Sequence, residues 1–125
     1  KTEGSLLMKP IGQKCLTIAF QQTISSETSS GSYLDPKVVC QRINEIDWSK
    51  DQDMWRFVLM EADGTTIKYG KAVENFATQY ISYLIGKDTK YWSDSTNKNE
   101  LLDAYQNNFP PKDRSDLKLP KQINL

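Results

Sequence analysis

At 125 residues the chain is one domain by length, long enough to bury a core without metal or disulfide staples. It contains no histidine. That excludes the usual general base at neutral pH, the commonest zinc ligand and every nucleophile–histidine pair. Sixteen basic residues balance sixteen acidic ones, which argues against a surface dominated by phosphate binding but leaves room for a local basic face.

The chain is 38% apolar and 26% charged, an ordinary globular composition. No stretch approaches the ~20 apolar residues of a membrane helix. Lys1–Pro10 lacks the apolar run of a signal peptide, and there is no Asn-x-Ser/Thr glycosylation site, so a cytoplasmic location without membrane contact is expected. The first residue is Lys rather than Met, which leaves open that the chain is a piece of a longer protein.

Pro10 suits the first turn of a helix. Ile11, Cys15 and Ile18 follow at helical spacing, with Leu16, Ala19 and Phe20 widening the apolar face, which predicts a helix over 10–24. Ser25–Ser32 is a polar, Ser-rich loop, the segment most open to flexing and nicking. Asp35-Pro36 is a helix start, an N-cap acceptor before Pro, and Val39, Ile43 and Ile46 carry the helix over 36–46. Cys15 and Cys40 both fall in these apolar patterns and are read as reduced, buried small hydrophobes, in preference to a disulfide.

Ser49-x-x-Gln52 resembles a capping box. Asp63-Gly64 between apolar and β-branched residues predicts a small β-hairpin, Arg56–Glu61 with Thr65–Tyr69, while Trp55, Val58 and Leu59 also fit a helical face. Lys71–Ile85 carries the strongest helical stripe, Val73, Phe76, Ala77, Tyr80, Ile81 and Leu84, with Gly86 as its stop and Lys87 placed to complement the helix dipole. Asp88–Thr96 reads as a polar link. Asn97-x-x-Glu100 opens a last helix through Leu101, Leu102, Tyr105 and Phe109, stopped by Pro110-Pro111. The expected fold is mainly α: a compact domain of four helices over 1–111, with the hairpin before the third helix. An extended or disordered tail follows over 112–125.

Three constellations bear on function. Glu45, Asp47, Asp51 and Asp53 could serve a metal or acid–base site, but their spacing matches no Ca²⁺ loop, and capping accounts for Asp and Ser near a helix start. Neither catalytic nor metal-binding residues, nor a cofactor, are assigned. Lys68, Tyr69 and Lys71, then Lys87, Lys90, Tyr91 and Trp92, interleave cations with aromatics, a mixture that can hold phosphates and stack bases. The alternative is aromatics covering the core edge beside solvated lysines. Trp48, Trp55 and Trp92 read as core or interface anchors.

Three segments together resemble a known family: SLLMKPIGQKCL at 5–16, INEIDWSKDQDMWRFVL at 43–59 and KAVENFATQYISYLIG at 71–86. In that order they are similar to the C-terminal part of the DGQHR-domain, DndB-like bacterial proteins associated with DNA sulfur modification and phage defence. The resemblance covers about the first two-thirds of the chain and rests on Pro10-Ile11-Gly12-Gln13 and the Asp47-Trp48…Trp55 spacing. The family's Asp-Gly-Gln-His-Arg motif belongs to a preceding ParB-nuclease-like domain and does not occur here, so its chemistry does not carry over. The resemblance implies a non-catalytic helical module that contacts DNA or supports a nuclease-like domain or partner subunit. Lys68, Lys71, Lys87 and Lys90 are the candidate phosphate contacts. A protein–protein or oligomerisation module without nucleic-acid binding is the alternative, fitted by net neutrality and the three tryptophans.

Overall fold

A computed structural model describes residues 4–125; Lys1, Thr2 and Glu3, the start of the expected domain, lie outside the described residues. The fold is mainly helical: α1 (Pro10–Ile24), α2 (Pro36–Glu45), α3 (Lys71–Ile85), α4 (Lys90–Ser93) and α5 (Ser95–Asn107), with three-residue 3-10 turns at Leu6–Met8, Asp53–Trp55 and Pro111–Asp113. The long helices begin where local chemistry directs. Pro occupies the first turn of α1 and α2, and the Asp35 carboxylate accepts from the Lys37 N–H at 2.9 Å.

α3 is the central element and packs most extensively on α1. Ala77, Thr78 and every residue from Tyr80 to Ile85 are buried, against Ile11, Cys15 and Ala19 of α1, Val39 of α2, and Leu101 and Tyr105 of α5 within one core. An aromatic chain runs through it. Trp48 stacks on Trp55 at 5.0 Å, Trp55 meets Tyr80 edge-on at 5.8 Å, Tyr80 stacks on Tyr105 at 5.8 Å, and Phe109 joins Tyr105 to Phe57. Such pairs contribute about 0.5–1.5 kcal/mol each beyond the area they bury. The buried polar handles are satisfied: Trp48 Nε1 donates to the Ile43 carbonyl, Trp55 Nε1 to Asp47, and the Tyr80 hydroxyl to Met54 at 2.7 Å. Gly12 packs directly on the Leu6 carbonyl, where a Cβ would overlap the backbone.

Several local expectations are corrected. Cys15 is buried, but Cys40 is exposed on the outer face of α2. Ser49 caps no helix; its backbone pairs with Ser5, and Lys50 donates to Gly4, so the segment clamps the start of the chain. In place of two paired strands, Val58, Leu59 and Met60 all donate to the Trp55 carbonyl, winding the first arm on itself. The turn at Asp63-Gly64 does form, with Gly64 at φ 73° and the Asp63 carboxylate accepting from the Thr65 and Thr66 N–H groups at 2.9 Å. Its arms meet in one antiparallel bridge, Met60 with Ile67. The supposed link over 88–96 is mostly helical: Thr89 caps α4, and Asp94, three residues ahead of the expected start, caps α5 by accepting from Thr96 at 2.8 Å.

The Ser-rich loop is also tied down. Thr28 N–H donates to Ser32 at 2.7 Å, and Lys90 N–H donates to Glu27 at 2.7 Å, joining the loop to the start of α4. The tail takes the extended alternative. Leu117, Leu119 and Ile123 pack on the core, Ile123 N–H donates to the Leu84 carbonyl at 2.9 Å, and the Tyr83 hydroxyl donates to Pro120 at 2.9 Å.

Candidate functional site

The C-terminal end of α3 is organised by Arg42, which is buried on the inner face of α2. Its Nη1 donates to the Ile85 carbonyl at 2.9 Å and the Lys87 carbonyl at 2.8 Å. Its Nε and Nη2 donate to the Leu125 carbonyl at 3.2 and 2.9 Å, and Asp88 Oδ2 lies 3.6 Å from Nη2. Burial pulls the guanidinium below its ordinary pKa, and Asp88 opposes that shift. The fork thus meets the open carbonyls at the negative end of the helix dipole and fixes the tail across them. Every donated bond ends on backbone, so Arg42 serves the fold.

The other face of α3 is open. Between α3, α4 and α5 lies a groove of about 480 Å³, lined by Ala72, Asn75, Phe76, Gln79, Tyr91, Trp92, Asn97, Glu100, Leu101 and Ala104. A second hollow of about 260 Å³ continues it past Gln79, Tyr91 and Trp92 toward Thr23 and Ser26 at the end of α1. Short side chains at 72 and 104 leave the space, and Asn75 and Gln79 stand one helical turn apart along it. Tyr91 is 46% exposed and meets Trp92 edge-on at 4.8 Å. Trp92 is held from behind by Nε1 donating to Ser82 Oγ at 3.2 Å and by Tyr83 at 5.5 Å. Asn97 donates its amide to the Tyr91 carbonyl at 2.9 Å, which fixes the lip. Glu100 is the one charged residue in this lining.

The four candidate lysines do not form one patch. Lys68 and Lys71 stand at the N-terminal end of α3, Lys87 and Lys90 beyond its C-terminal end, and α3 itself is about 21 Å long. Lys68 Nζ donates to the Phe57 carbonyl at 3.4 Å, and Lys87 Nζ to Asn124. Phe57 sits in the left-handed region at φ 64°, so Lys68 and the Asn108 amide, which donates to the same carbonyl at 3.1 Å, hold a strained turn. Lys71 and Lys90 are exposed and have no side-chain partner among the described residues. They flank the groove in sequence, Lys71 beside Ala72 and Lys90 beside Tyr91.

Glu45, Asp47, Asp51 and Asp53 are all exposed, and no cluster able to hold a metal occurs among the described residues. Asp47 is held below the ordinary carboxylate range by the Ser49 N–H, and Asp53 pairs with Arg56 at 3.4 Å. Trp48, Trp55 and Trp92 are all buried and are core anchors; of the three, Trp92 also lines the groove. Among the described residues no helix is long and apolar enough to cross a membrane.

Asn75 and Gln79 go unread in the sequence, and Asn97 and Glu100 enter it only as a helix start. The one available signal for Asn75 and Gln79 was the amide pair at i and i+4 beside an otherwise apolar stripe. Comparison with known protein families, with curated proteins and with solved structures finds no match to this chain.

Proposed function

We propose that this chain is a non-catalytic binding module that contacts DNA, within a DNA-modification or defence-associated protein of the kind its three segments resemble. The observation that carries the reading is the open groove along α3, aromatic at its lip and walled by amides, with the exposed Lys71 and Lys90 next in sequence to its lining residues Ala72 and Tyr91. Aromatic surface and unpaired cations are the two things a nucleic-acid strand needs from a small domain. Lys68 and Lys87 are engaged with the fold and are secondary contacts in this reading. The protein–protein alternative loses the tryptophans as its anchors, since all three are core.

Zero net charge sets the form of the binding. Few phosphates are contacted, so affinity for single strands falls with salt at a slope of about −1.4 for two phosphates, far shallower than for a strongly basic protein. Labelled single-stranded and duplex DNA titrated across a salt series tests this. Binding at low salt that weakens by that slope supports the reading. A charge reversal, Lys71→Glu with Lys90→Glu, lowers affinity and flattens the slope. No binding to either form at low salt overturns it, and concentration-dependent sedimentation would then identify a protein-interaction module instead.

A further inference from the structure

We infer that residues 117–125 form a releasable strap over a preformed seat for an extended peptide at the end of α3. The strap opens while the helical body stays folded, and the bared seat takes a peptide in the same extended form. The seat lies at the end of α3 away from Lys71, and its use is independent of DNA contact.

The strap and the surface beneath it are held in different ways. From Leu117 to Leu125 no residue is buried, and none belongs to a helix or strand. Leu117, Leu119 and Ile123 are half-buried against the core. Ile123 N–H to the Leu84 carbonyl, at 2.9 Å, is the one backbone–backbone bond from the strap to a helix among the described residues. A segment with so little buried apolar surface opens locally at low free energy. The seat, by contrast, is fixed from its own side. Arg42, Tyr83, Leu84 and Ile85 are buried. Arg42 Nη1 is anchored on the Ile85 and Lys87 carbonyls, so Nε and Nη2 stay aimed at the place of the Leu125 carbonyl when the strap lifts. Tyr83 is braced edge-on by Trp92 at 5.5 Å, which holds its hydroxyl toward the Pro120 carbonyl. Opening hands these donors to water, together with the Tyr83 carbonyl that accepts from Gln122 and the Leu84 carbonyl. No buried group is left stranded, which removes the main penalty of breaking such bonds.

What the seat reads is main chain. It engages the strap through backbone groups at Leu117, Pro120, Ile123 and Leu125, with Gln106 Nε2 donating to the Leu117 carbonyl at 3.1 Å. Main-chain bonds of this kind give affinity for an extended segment, and the apolar contacts of Leu117, Leu119 and Ile123 give the selection. The occupant is therefore an extended peptide with apolar residues at the spacing of 117, 119 and 123.

Hydrogen exchange of the full chain tests release. Protection of the Ile123 amide is expected to be about 100-fold weaker than that of Leu84 and Ile85 in α3. Equal protection means that the strap opens only with the whole domain and overturns the inference. Ile123→Asp in the full chain loosens the strap and bares the seat. A synthetic peptide of residues 115–125, labelled for fluorescence anisotropy, is expected to bind this variant at least about tenfold tighter than the unaltered chain, where the attached strap competes at high effective concentration. Adding Tyr83→Phe removes one hydrogen bond from the seat and weakens the peptide about fivefold. Circular dichroism is expected to show full helix content in Ile123→Asp, and collapse of that content overturns the strap. Equal affinity of the peptide for both chains, or binding to neither, overturns the seat.

Discussion

The two halves of α3 share one helix and have opposite fates. From Tyr80 to Ile85 every side chain is buried, and the helix end is sealed by Arg42 and the tail. From Lys71 to Phe76 none is buried, and the helix faces a groove. In the first half polar groups close on one another and on backbone. In the second, Asn75 and Gln79 stand in the groove with aromatics alongside. The contrast separates two kinds of substitution: changes near residues 80–85 are read in stability, while changes near 71–79 test the proposed binding.

Arg42→Ala attacks the buried half hardest. It strands the Ile85, Lys87 and Leu125 carbonyls and is expected to cost about 3 kcal/mol in urea unfolding. Arg42→Lys recovers only part of this, because one ammonium cannot serve carbonyls on both sides of a planar fork. A loss within about 0.5 kcal/mol would mean that the helix end does not depend on the clamp.

Gly12→Ala tests the packing of the Leu6–Met8 turn on α1, the helix that backs α3. The added methyl overlaps the Leu6 carbonyl, and a loss of about 1–3 kcal/mol is expected from thermal unfolding. An unchanged midpoint would show that Leu6–Met8 shifts freely away from α1.

Alkaline pH separates the halves by chemistry. Burial pushes the Tyr80 hydroxyl well above its ordinary 10.0, and burial also raises Tyr83, Tyr105 and the Cys15 thiol. For raised groups the stabilisation is full below the unfolded pKa and is lost as pH rises, because the unfolded chain gives up its protons first. Stability therefore declines above about pH 10, with Tyr80 alone contributing a slope of about 1.4 kcal/mol per pH unit. Tyr80→Phe should flatten that decline in unfolding curves taken at successive pH values; an unaltered slope would assign the loss to other groups.

Asp35→Ala removes the cap of α2, the helix that carries Arg42, and is expected to cost about 1 kcal/mol in urea unfolding. A midpoint that stays put would show that Pro36 and packing alone set the start of α2.

Much of this was legible because local chemistry decided it. Pro10, Asp35-Pro36 and the stripe of Lys71–Ile85 place three helices within a residue of their observed limits. The rest depended on contacts distant in sequence. Arg42 carries no local signal in the sequence; its role emerges only when the end of α3 and the tail are brought beside it. Cys40 lies at the edge of an apolar pattern, and only the packing of α2 shows that its face looks outward. The tail is polar by composition, yet Leu117, Leu119 and Ile123 find the core at alternate spacings. The two arms around Asp63-Gly64 carry a hairpin sequence, but Trp55 draws the first arm into turns. At the site, Tyr91 and the lysines were visible as a cation–aromatic mixture, whereas the groove required α5 to be laid against α3.

In the proposed function the open half of α3 is the surface that binds, and the sealed half is scaffold. Amide chemical-shift mapping during titration with single-stranded DNA tests it most directly. The expected result is shifts concentrated on Ala72–Gln79, Tyr91 and Asn97–Ala104, with Arg42 and residues 117–125 unmoved. Shifts centred on the tail, on the Ser25–Ser32 loop or on the outer face of α2 would contradict it.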